Sequence, residues 1–477
     1  MTGKDRIRQL IEDKRKIFTD VSDEIWGYAE TRFDSPKSAD ALCGILEAEG
    51  FSVERGCCGM ADAFVASFGS GKPCIGILAE YDALPNISQE ADLPQKKPVI
   101  EGASGHGCGH NALGAGALAG AVGIKDYIKE AGLTGTVKLF GCPAEESGSG
   151  KMFMARGGMF NGLDAVLTWH PMTETAIWGM SSLANYQVYF NFKGVSAHAS
   201  AAPQHGRSAL DAAELMSVGV NYLREHIIQE ARVHYAYIDA GGVSPNVVQP
   251  TARVLYYIRA PRSSQVQEIF ERVVKVAEGA AMMAGVTVEL EWYSCCAEYI
   301  VNERLAKAMY ANMKEIGAIK FTEEEYDYAG QFTDGLDEVS KEAFRAKIRR
   351  WFPDKSADEV EALAAKSIMD ELIPYSLTDE AMPGSTDVGD ASWHTATAQL
   401  LTASYPAGAA AHSWQYVACG KSSIVHKGLL YAGKVIAMTA LDLLESPALV
   451  SEAKEEHARR LGKDRYNCPI PEDVLPK

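Results

Sequence analysis

Several side chains of the kinds that bind metal ions lie in short loops that follow predicted strands. The stretch GHGCGHN (105–111) places Cys108 and His110 two residues apart in a glycine-rich loop, immediately before a predicted helix. Other candidates of the same kind are Glu145, Glu146, His170 and His412. A thiolate, imidazoles and carboxylates together form a ligand set that suits Zn²⁺ or Mn²⁺. The loop alone leaves three interpretations open: a metal site, a redox thiol, or a tight turn with incidental polar residues.

The adjacent carboxylates Glu145 and Glu146 follow a predicted strand and begin a loop rich in glycine and serine. Hydrolysis assisted by a metal needs one carboxylate that holds the ion and a second, unligated one that takes a proton from water. Two neighbouring glutamates in a loop can each turn to one of these tasks. Because such a pair is otherwise ordinary surface charge, the assignment depends on where the fold places it.

Strands alternate with helices over the first 185 residues, which predicts an α/β sheet with parallel strands. Asn111 is the expected N-cap of the helix after the glycine-rich loop. In open α/β sheets, ligands bind beyond the carboxyl ends of the strands, and the candidate metal ligands lie at such ends. Strands are predicted at 63–68, 74–79, 136–142 and 165–169, the last ending at His170, and helices within 5–49 and at 112–131.

The pattern changes near residue 185, where apolar and polar residues begin to alternate. The order β-α-β-β-α-β follows, which is the ferredoxin-like arrangement. Its strands are predicted at 186–192, 233–240, 252–258 and 286–292, and its helices at 208–225 and 264–284. We therefore predict a catalytic domain in two parts, 1–185 and 298–477, with an inserted domain at 186–297. The second part contains an acidic helical elaboration at about 320–375 and closes with a helix at 427–444 and a polar tail.

The composition is that of a globular protein, with 47% hydrophobic and 23% charged residues. A formal net charge of −17 argues against nucleic acid or an anionic membrane as a partner, because both would repel the chain. The N-terminal residues carry charges throughout and do not resemble a secretion signal. The ten cysteines are scattered, with adjacent pairs at 57–58 and 295–296 that suit no disulfide framework, so we expect reduced thiols and a cytoplasmic location.

Five segments together resemble the M20 family of metallopeptidases and aminoacylases, in particular its amidohydrolase branch. They are CGHN (108–111), PAEESGSGK (143–151), WHP (169–171), GVSAHA (194–199) and AHSWQ (411–415). EYDALP (80–85) stands in the place of the family's first acidic motif, where many other branches have a His-x-Asp pair. The resemblance covers most of the chain and implies a zinc-peptidase-like catalytic domain with an inserted dimerisation or lid domain.

By this resemblance, the protein is a binuclear metal-dependent amidohydrolase. Cys108 would bridge two divalent ions, Mn²⁺ or Zn²⁺, and Glu145 would act as general base and then as proton donor to the leaving amine. The remaining protein ligands would be His110, Glu146, His170 and His412. Four other histidines are treated as non-ligands: His106, His205, His394 and His426.

The predicted inserted domain carries three further candidates. His198 matches a family histidine that reaches the active site of a partner chain and stabilises the tetrahedral oxyanion, a role that requires a dimer. The alternative for His198 is a strand-end histidine that bonds its own loop. Asn246 either lines the same site or belongs to an ordinary turn. Arg259 either binds the substrate carboxylate with two hydrogen bonds or forms a structural salt bridge, and we favour the salt bridge.

Stretches outside the metal loops, among them SPNVVQ (244–249) and STDVGDASW (385–393), sharpen the resemblance. They imply hydrolysis of the amide between an aromatic acyl group and glutamate, by a homodimer or by a heteromer with a related chain. The enzymatic alternative is a dipeptidase or a general N-acyl-amino-acid aminoacylase. The alternative of another class is a non-catalytic member of a hydrolase complex, although every ligand position is filled. A redox switch on Cys108 lacks a resolving cysteine at a recognisable spacing.

Overall fold

The computed structural model describes residues 2–378 and 380–476, which form two β-sheets and the helices that cover them. The first part of the chain holds helices α1 (Gly3–Asp13), α2 (Arg15–Tyr28), α3 (Pro36–Ala48), α4 (His110–Ala131) and α5 (Gly150–Arg156). Its strands are β1 (Ser52–Arg55), β2 (Phe64–Ser70), β3 (Cys74–Glu80), β4 (Gly135–Cys142), β5 (Ala165–Met172) and β6 (Ala176–Ile177).

The remaining elements follow in two blocks. The middle block is β7 (Ala184–Lys193), α6 (Ala209–Leu223), β8 (Arg232–Asp239), β9 (Thr251–Ala260), α7 (Ser263–Ala284) and β10 (Thr287–Cys296). The last block is α8 (Glu303–Ile316), α9 (Glu323–Thr333), α10 (Glu338–Trp351), α11 (Ala357–Ala364), α12 (Val388–Ser392), β11 (Thr397–Ala403), α13 (Trp414–Cys419), α14 (Ser423–Glu445) and α15 (Pro447–Leu461).

The larger sheet has seven strands in the order β1-β2-β4-β3-β5-β11-β6. Its central strands β4, β3, β5 and β11 run parallel, and antiparallel strands complete both edges. Strand β3 is buried at nearly every position, as the apolar run CIGILA predicts for a strand covered on both faces. Since parallel strands end at the same edge, the loops after them open onto one rim of the sheet. The predicted α/β fold is confirmed.

The smaller sheet has four antiparallel strands in the order β10-β7-β9-β8, and helices α6 and α7 pack on it. This strand order and the chain order β-α-β-β-α-β are the predicted ferredoxin-like arrangement. Alternate residues of β9 are buried, which is the period-two pattern of a strand with one face on a core. The domain boundaries at 186 and 297 stay a prediction, although β7 begins and β10 ends within two residues of them.

Helices α4 and α14 pack against each other and against the seven-stranded sheet. Helix α4 is rich in glycine and alanine, so neighbours approach it closely: a Cβ on Gly116 would lie 2.5 Å from the ring of Trp169. Among the described helices, α14 alone is long and apolar enough to cross a membrane, but 83% of its apolar window is buried inside the protein. Its position is that of a core helix.

One predicted strand boundary is wrong. Strand β5 continues past His170 to Met172, because β11 pairs with it over that length and places Leu401 opposite His170. The predicted polar tail begins with helix α15. Ser446 caps this helix by accepting a hydrogen bond from the Leu449 N–H group at 3.2 Å, and a proline occupies the first helical turn.

Candidate metal centre

Gly109 shapes the loop that carries Cys108 and His110. It adopts φ +84° and stands at the N-terminal boundary of α4, where a Cβ would lie 2.3 Å from the Tyr405 hydroxyl oxygen. Only glycine fits this combination of a left-handed backbone and a close neighbour. The prediction of Asn111 as N-cap is wrong, because the helix begins at His110. The Asn111 side chain lies inside the first turn and donates a 3.0 Å hydrogen bond to a backbone carbonyl oxygen.

Three other segments bring the remaining candidate ligands to the same rim of the sheet. Glu145 and Glu146 follow β4, and the Glu146 N–H group donates to Asp82 Oδ2 at 3.0 Å. His170 lies near the end of β5. His412 lies in the loop after β11, where its N–H group donates to a carbonyl oxygen of the glycine-rich loop at 2.8 Å. The structure therefore brings all five sequence-predicted ligands together.

The ligand atoms form three groups, in each of which they lie within 4.8 Å of one another. The groups are Cys108 with His110 and His170, Cys108 with Glu146 and His412, and Glu80 with His110 and Glu145. Cys108 Sγ is 3.5 Å from His170 Nε2, and Glu146 Oε2 is 3.5 Å from His412 Nε2. The first two groups share Cys108, which is the arrangement expected of two neighbouring metal positions joined by one thiolate.

Two buried atoms of this cluster have no hydrogen-bond partner in the part of the chain that the structure describes, namely His110 Nε2 and Glu146 Oε1. His110 Nδ1 contacts Asp82 Oδ1 at 3.1 Å, which fixes the ring and leaves Nε2 for another partner. A buried polar atom without a partner costs free energy, and metal ions bound at the two ligand groups would remove that cost. The residues present fit divalent metal ions.

A buried set of charges beneath the ligands was not predicted as part of the site. Lys151 Nζ lies 2.6 Å from Glu80 Oε1 and 2.5 Å from Asp387 Oδ1, and none of the three side chains is more than 2% exposed. Glu80 Oε2 lies 3.3 Å from His110 Nε2 without hydrogen-bond geometry, so Glu80 is a candidate sixth ligand. Glu80 could have been predicted from its position in EYDALP, at the end of a buried strand. Lys151 and Asp387 lie in the quoted motifs PAEESGSGK and STDVGDASW, but only the fold makes them neighbours.

The half-buried carboxyl of Glu145 is electrostatically unusual. Burial raises its pKa well above the usual range of a glutamate, and the neighbouring Glu80 and Glu146 carboxylates raise it further. A carboxyl with a raised pKa can accept and return a proton near neutral pH, as general acid–base catalysis requires. Burial also raises the pKa of the Cys108 thiol. Because a metal ion binds the thiolate, metal binding at Cys108 would release a proton.

A cleft of about 460 Å³ opens beside the ligands, between the two sheets. Glu145 and His412 line it on the side of the larger sheet, and the smaller sheet contributes Tyr189, Tyr257, Arg259 and Tyr293. The Arg259 guanidinium lies 4.0 Å from the ring centre of Tyr257, and its Nη1 donates to Pro383 O at 3.4 Å. No carboxylate within residues 2–378 and 380–476 forms an ion pair with Arg259, contrary to the salt bridge that we favoured from the sequence.

The other two candidates of the inserted segment lie together, but outside this cleft. The Asn246 carbonyl oxygen accepts a hydrogen bond from the Ala199 N–H group at 2.9 Å, beside His198. His198 Nδ1 accepts from the N–H groups of Ser200 and Ala201 at 3.3 and 3.2 Å, so its Nε2 is available on an exposed side chain. Neither His198 nor Asn246 lines the cleft of its own chain.

Three of the histidines treated as non-ligands have other partners. His106 Nε2 lies 3.0 Å from Ile25 O, His394 Nδ1 lies 3.1 Å from Asn161 Oδ1, and His426 Nε2 lies 2.9 Å from Asp23 Oδ1. Burial, with a smaller contribution from the charge of His110, lowers the pKa of His106 to about 3. His106 is thus a neutral, buried structural residue, although it is only two positions from Cys108.

A profile of the peptidase family M20/M25/M40 matches residues 76–415, and the chain belongs to this family. The match confirms the resemblance that the loop motifs indicated, and it makes the protein a hydrolase. The chain is 44% identical over 472 residues to the B subunit of p-aminobenzoyl-glutamate hydrolase from Escherichia coli, covering 98% of both chains. It is 26% identical to the Xaa-Arg dipeptidase of Mus musculus, covering 99% of this chain and 94% of that protein.

The fold has counterparts among solved structures. The aminobenzoyl-glutamate utilization protein from Klebsiella pneumoniae superimposes with a TM-score of 0.60 and 17% sequence identity, covering 92% of this chain and 98% of the other. At this identity, the likeness concerns the arrangement of the two sheets and their helices.

Proposed function

We propose that the protein hydrolyses the amide bond of p-aminobenzoyl-glutamate to p-aminobenzoate and glutamate, with two divalent metal ions held by ligand groups that share Cys108. The observation that carries the proposal is the position of Glu145, whose carboxylate lies 4.0 Å from His110 Nε2 and lines a cleft with an aromatic wall. The substrate is taken from the 44% identical Escherichia coli protein, which bears its name.

Two divalent ions, Mn²⁺ or Zn²⁺, would supply Lewis acidity for the scissile carbonyl and a lowered pKa for a water molecule. The protein's own part in the reaction is proton transfer. Glu145 takes a proton from the attacking water, whose oxygen bonds to the acyl carbon. As the carbon–nitrogen bond breaks, Glu145 gives this proton to the departing amine of glutamate. The residues that would hold the ions are Cys108, His110, Glu146, His170 and His412, with Glu80 adjacent.

The cleft offers complementary contacts to both halves of this substrate. Tyr189, Tyr257 and Tyr293 present aromatic rings that can stack on the aminobenzoyl ring. Arg259 would bind a carboxylate of the glutamate, since its Nε has no hydrogen-bond partner among the residues described. An aliphatic acyl group would leave the aromatic wall without a stacking partner, which is the basis for preferring an aromatic acyl substrate.

A second chain would complete the site. His198 carries its free Nε2 on the surface, and we propose that it stabilises the oxyanion in the cleft of a partner, with Asn246 beside it. Strand β8 is an edge strand that exposes Tyr235, Tyr237 and Ile238, and such an edge can pair with another chain. The partner is a second copy or a related A subunit, since the Escherichia coli relative is named as the B subunit of its hydrolase.

A dipeptidase is the second candidate, because the mouse Xaa-Arg dipeptidase aligns with 99% of the chain. It would use the same metal centre and Glu145. A non-catalytic role in a hydrolase complex is disfavoured by the presence of every proposed ligand and of the general base. All ten cysteines are free, which supports the reducing cytoplasm as the location.

The test measures metal content and hydrolysis of p-aminobenzoyl-glutamate for the wild type and for Glu145→Gln, an isosteric change. We expect about two ions per chain in both proteins and a loss of turnover of roughly 10²–10⁴-fold in the variant, the usual contribution of a general base. Glu278→Gln, at an exposed position of α7, is the matched control and should keep full activity. A wild type that stays metal-free and inactive after Mn²⁺ or Zn²⁺ is added would contradict the proposal.

A substrate panel separates the two candidates. N-acetylglutamate, an Xaa-Arg dipeptide and p-aminobenzoyl-glutamate share the amide but differ in the acyl group. The highest kcat/KM is expected for the aromatic acyl substrate, and Arg259→Gln should raise KM for it more than it lowers kcat. Preferred cleavage of the dipeptide would reassign the protein as a dipeptidase. A metal-loaded wild type that cleaves none of them alone, but does so with an added A subunit, would show that the site requires a heteromer.

A further inference from the structure

Residues 320–375 form a helical insert, which comprises α9, α10, α11 and the segment after them, and this insert packs on the loop that carries His412. We propose that the insert is a clamp. By fixing residues 404–413, here called the His412 loop, it sets the affinity of the metal position formed by Cys108, Glu146 and His412. The inference rests on the proposed two-metal centre, and it gives a positioning role to a segment that contributes none of the five proposed ligands.

His412 is the least secured of the five proposed ligands. Its side chain is 53% exposed, whereas that of His110 is fully buried. Its backbone adopts φ +59°, a left-handed conformation that is strained for a non-glycine residue. A strained conformation persists only where surrounding contacts hold it. The hydrogen bond from its N–H group to Gly107 O, at 2.8 Å, is the support on the side of the metal centre.

The insert supports the same loop from the opposite side. Ala407 is 3% exposed, and its N–H group donates to Ser367 O of the insert at 2.8 Å. A Cβ on Gly408 would lie 3.1 Å from Leu336 Cδ1 and 3.7 Å from Phe344, so the insert lies against the loop backbone itself. Ala407 shares an apolar cluster with the insert residues Phe344, Ile348, Val360, Leu363 and Met369. The loop thus closes the core of the insert.

The insert is also anchored to the core helix α14. The Glu325 carboxylate accepts hydrogen bonds from Lys427 Nζ at 2.5 Å and from Ser423 Oγ at 2.8 Å. Ile368 packs in one apolar cluster with Ile424 of α14. Since α14 is buried along most of its length, it is a rigid support. The insert therefore connects a rigid helix to an exposed ligand loop.

The two metal positions should depend on the clamp to different extents. Cys108, His110 and His170 come from the start of α4 and the end of β5, which belong to the core of the larger sheet. His412 comes from the clamped loop. When the clamp is weakened, fewer chains hold the loop in place before an ion binds at the second position, which His412 helps to form. The apparent affinity of that position is its intrinsic affinity multiplied by the fraction of chains in which the loop is in place. The first position should keep its affinity.

The experiment titrates the metal-free protein with Mn²⁺ by calorimetry and measures hydrogen exchange of residues 404–413 in the absence of metal. Leu336→Ala removes the side chain nearest to Gly408, and Phe344→Ala removes the larger cluster residue. Val339→Ala is the matched control, because it shortens an apolar side chain of α10 that is 80% exposed and does not belong to this cluster. Circular dichroism verifies that each variant keeps its helices.

We expect the weaker of two Mn²⁺ associations to lose at least tenfold in affinity in Leu336→Ala and Phe344→Ala, with the tighter one changed less than twofold. Exchange in the His412 loop should accelerate at least tenfold in both variants and stay unchanged in Val339→Ala. The proposed clamp would be contradicted by any of three results. These are equal weakening of both Mn²⁺ associations, an unchanged weaker association, and unchanged hydrogen exchange in the His412 loop. A wild type that binds fewer than two Mn²⁺ ions would instead overturn the two-metal centre itself, and with it the affinity role of the clamp.

Discussion

The glycine-rich loop and the His412 loop both carry proposed metal ligands, but different parts of the molecule hold them in place. The glycine-rich loop is buried, with His106 1% and His110 0% exposed, and the 22-residue helix α4 continues from it. In the His412 loop, residues 404–407 are buried but residues 410–412 are exposed, and the loop leads into α13, a helix of six residues. Its first residues are bonded to β5 through Met172 O, and by our proposal the insert holds the rest of the loop. Ligands of one site can therefore be preorganised either by the core or by a separate supporting element.

The largest expected effect is the loss of bound metal when a proposed ligand is removed. Cys108→Ala removes the side chain that both ligand groups share, so both metal positions should be lost, whereas His412→Ala should affect one position. Affinity should fall by more than about 10²-fold at each affected position, because even partners behind the ligands are worth 10–100-fold. Metal content after dialysis measures both changes. Cys142→Ala, another buried cysteine, is the control and should retain all metal. Loss of a single ion from Cys108→Ala would contradict a shared thiolate.

A smaller effect compares one glycine from each loop. Gly109→Ala would place a Cβ 2.3 Å from the Tyr405 hydroxyl and 2.8 Å from Pro171, and Gly408→Ala would place one 3.1 Å from the flexible end of Leu336. Both glycines have positive φ. The free energy of unfolding should fall by about 2–5 kcal/mol for Gly109→Ala, from strain and overpacking, and by about 1–2 kcal/mol for Gly408→Ala, from strain.

Urea unfolding of the metal-free proteins measures this pair. Equal losses of stability in the two variants would contradict the view that the core holds the first loop more tightly than the insert holds the second.

The smallest effect concerns pH and the buried His106. Its pKa of about 3 in the folded protein lies below the ordinary 6.5, so between these values the unfolded chain binds a proton that the folded chain does not. Stability is therefore fully present above pH 6.5 and decreases as the pH falls toward 3. Between pH 7.5 and pH 5, His106 should account for a loss of about 2 kcal/mol, which His106→Gln removes.

Urea unfolding at pH 7.5 and pH 5 compares the two metal-free proteins. Burial also lowers the pKa of His170, to about 4, but this histidine is common to both and cancels in the difference. An identical loss of stability in wild type and variant would show that His106 is not buried in its neutral form.

Short-range patterns explain which parts of the site were predictable. Cys108 and His110 lie within one seven-residue loop, and Glu145 and Glu146 are adjacent, so their joint role needs no knowledge of the fold. The contact of Lys151 with Asp387 joins positions 236 residues apart, and no local pattern reveals it. The error at Asn111 has a similar cause. An asparagine before an apolar run is a good N-cap by local preference, but Tyr405 and Pro171 leave room only for glycine at the boundary.

The order of residues was enough to predict the α/β alternation, the ferredoxin-like block and the side chains that we propose as metal ligands. These features depend on hydrophobic periodicity and on short motifs, which act over a few residues. The fold alone decided that Glu80 lies beside the ligands, that Arg259 faces the cleft without a carboxylate partner, and that the insert packs on the His412 loop. Such contacts depend on how strands and helices pack in three dimensions, and therefore on distances that separation along the chain does not specify.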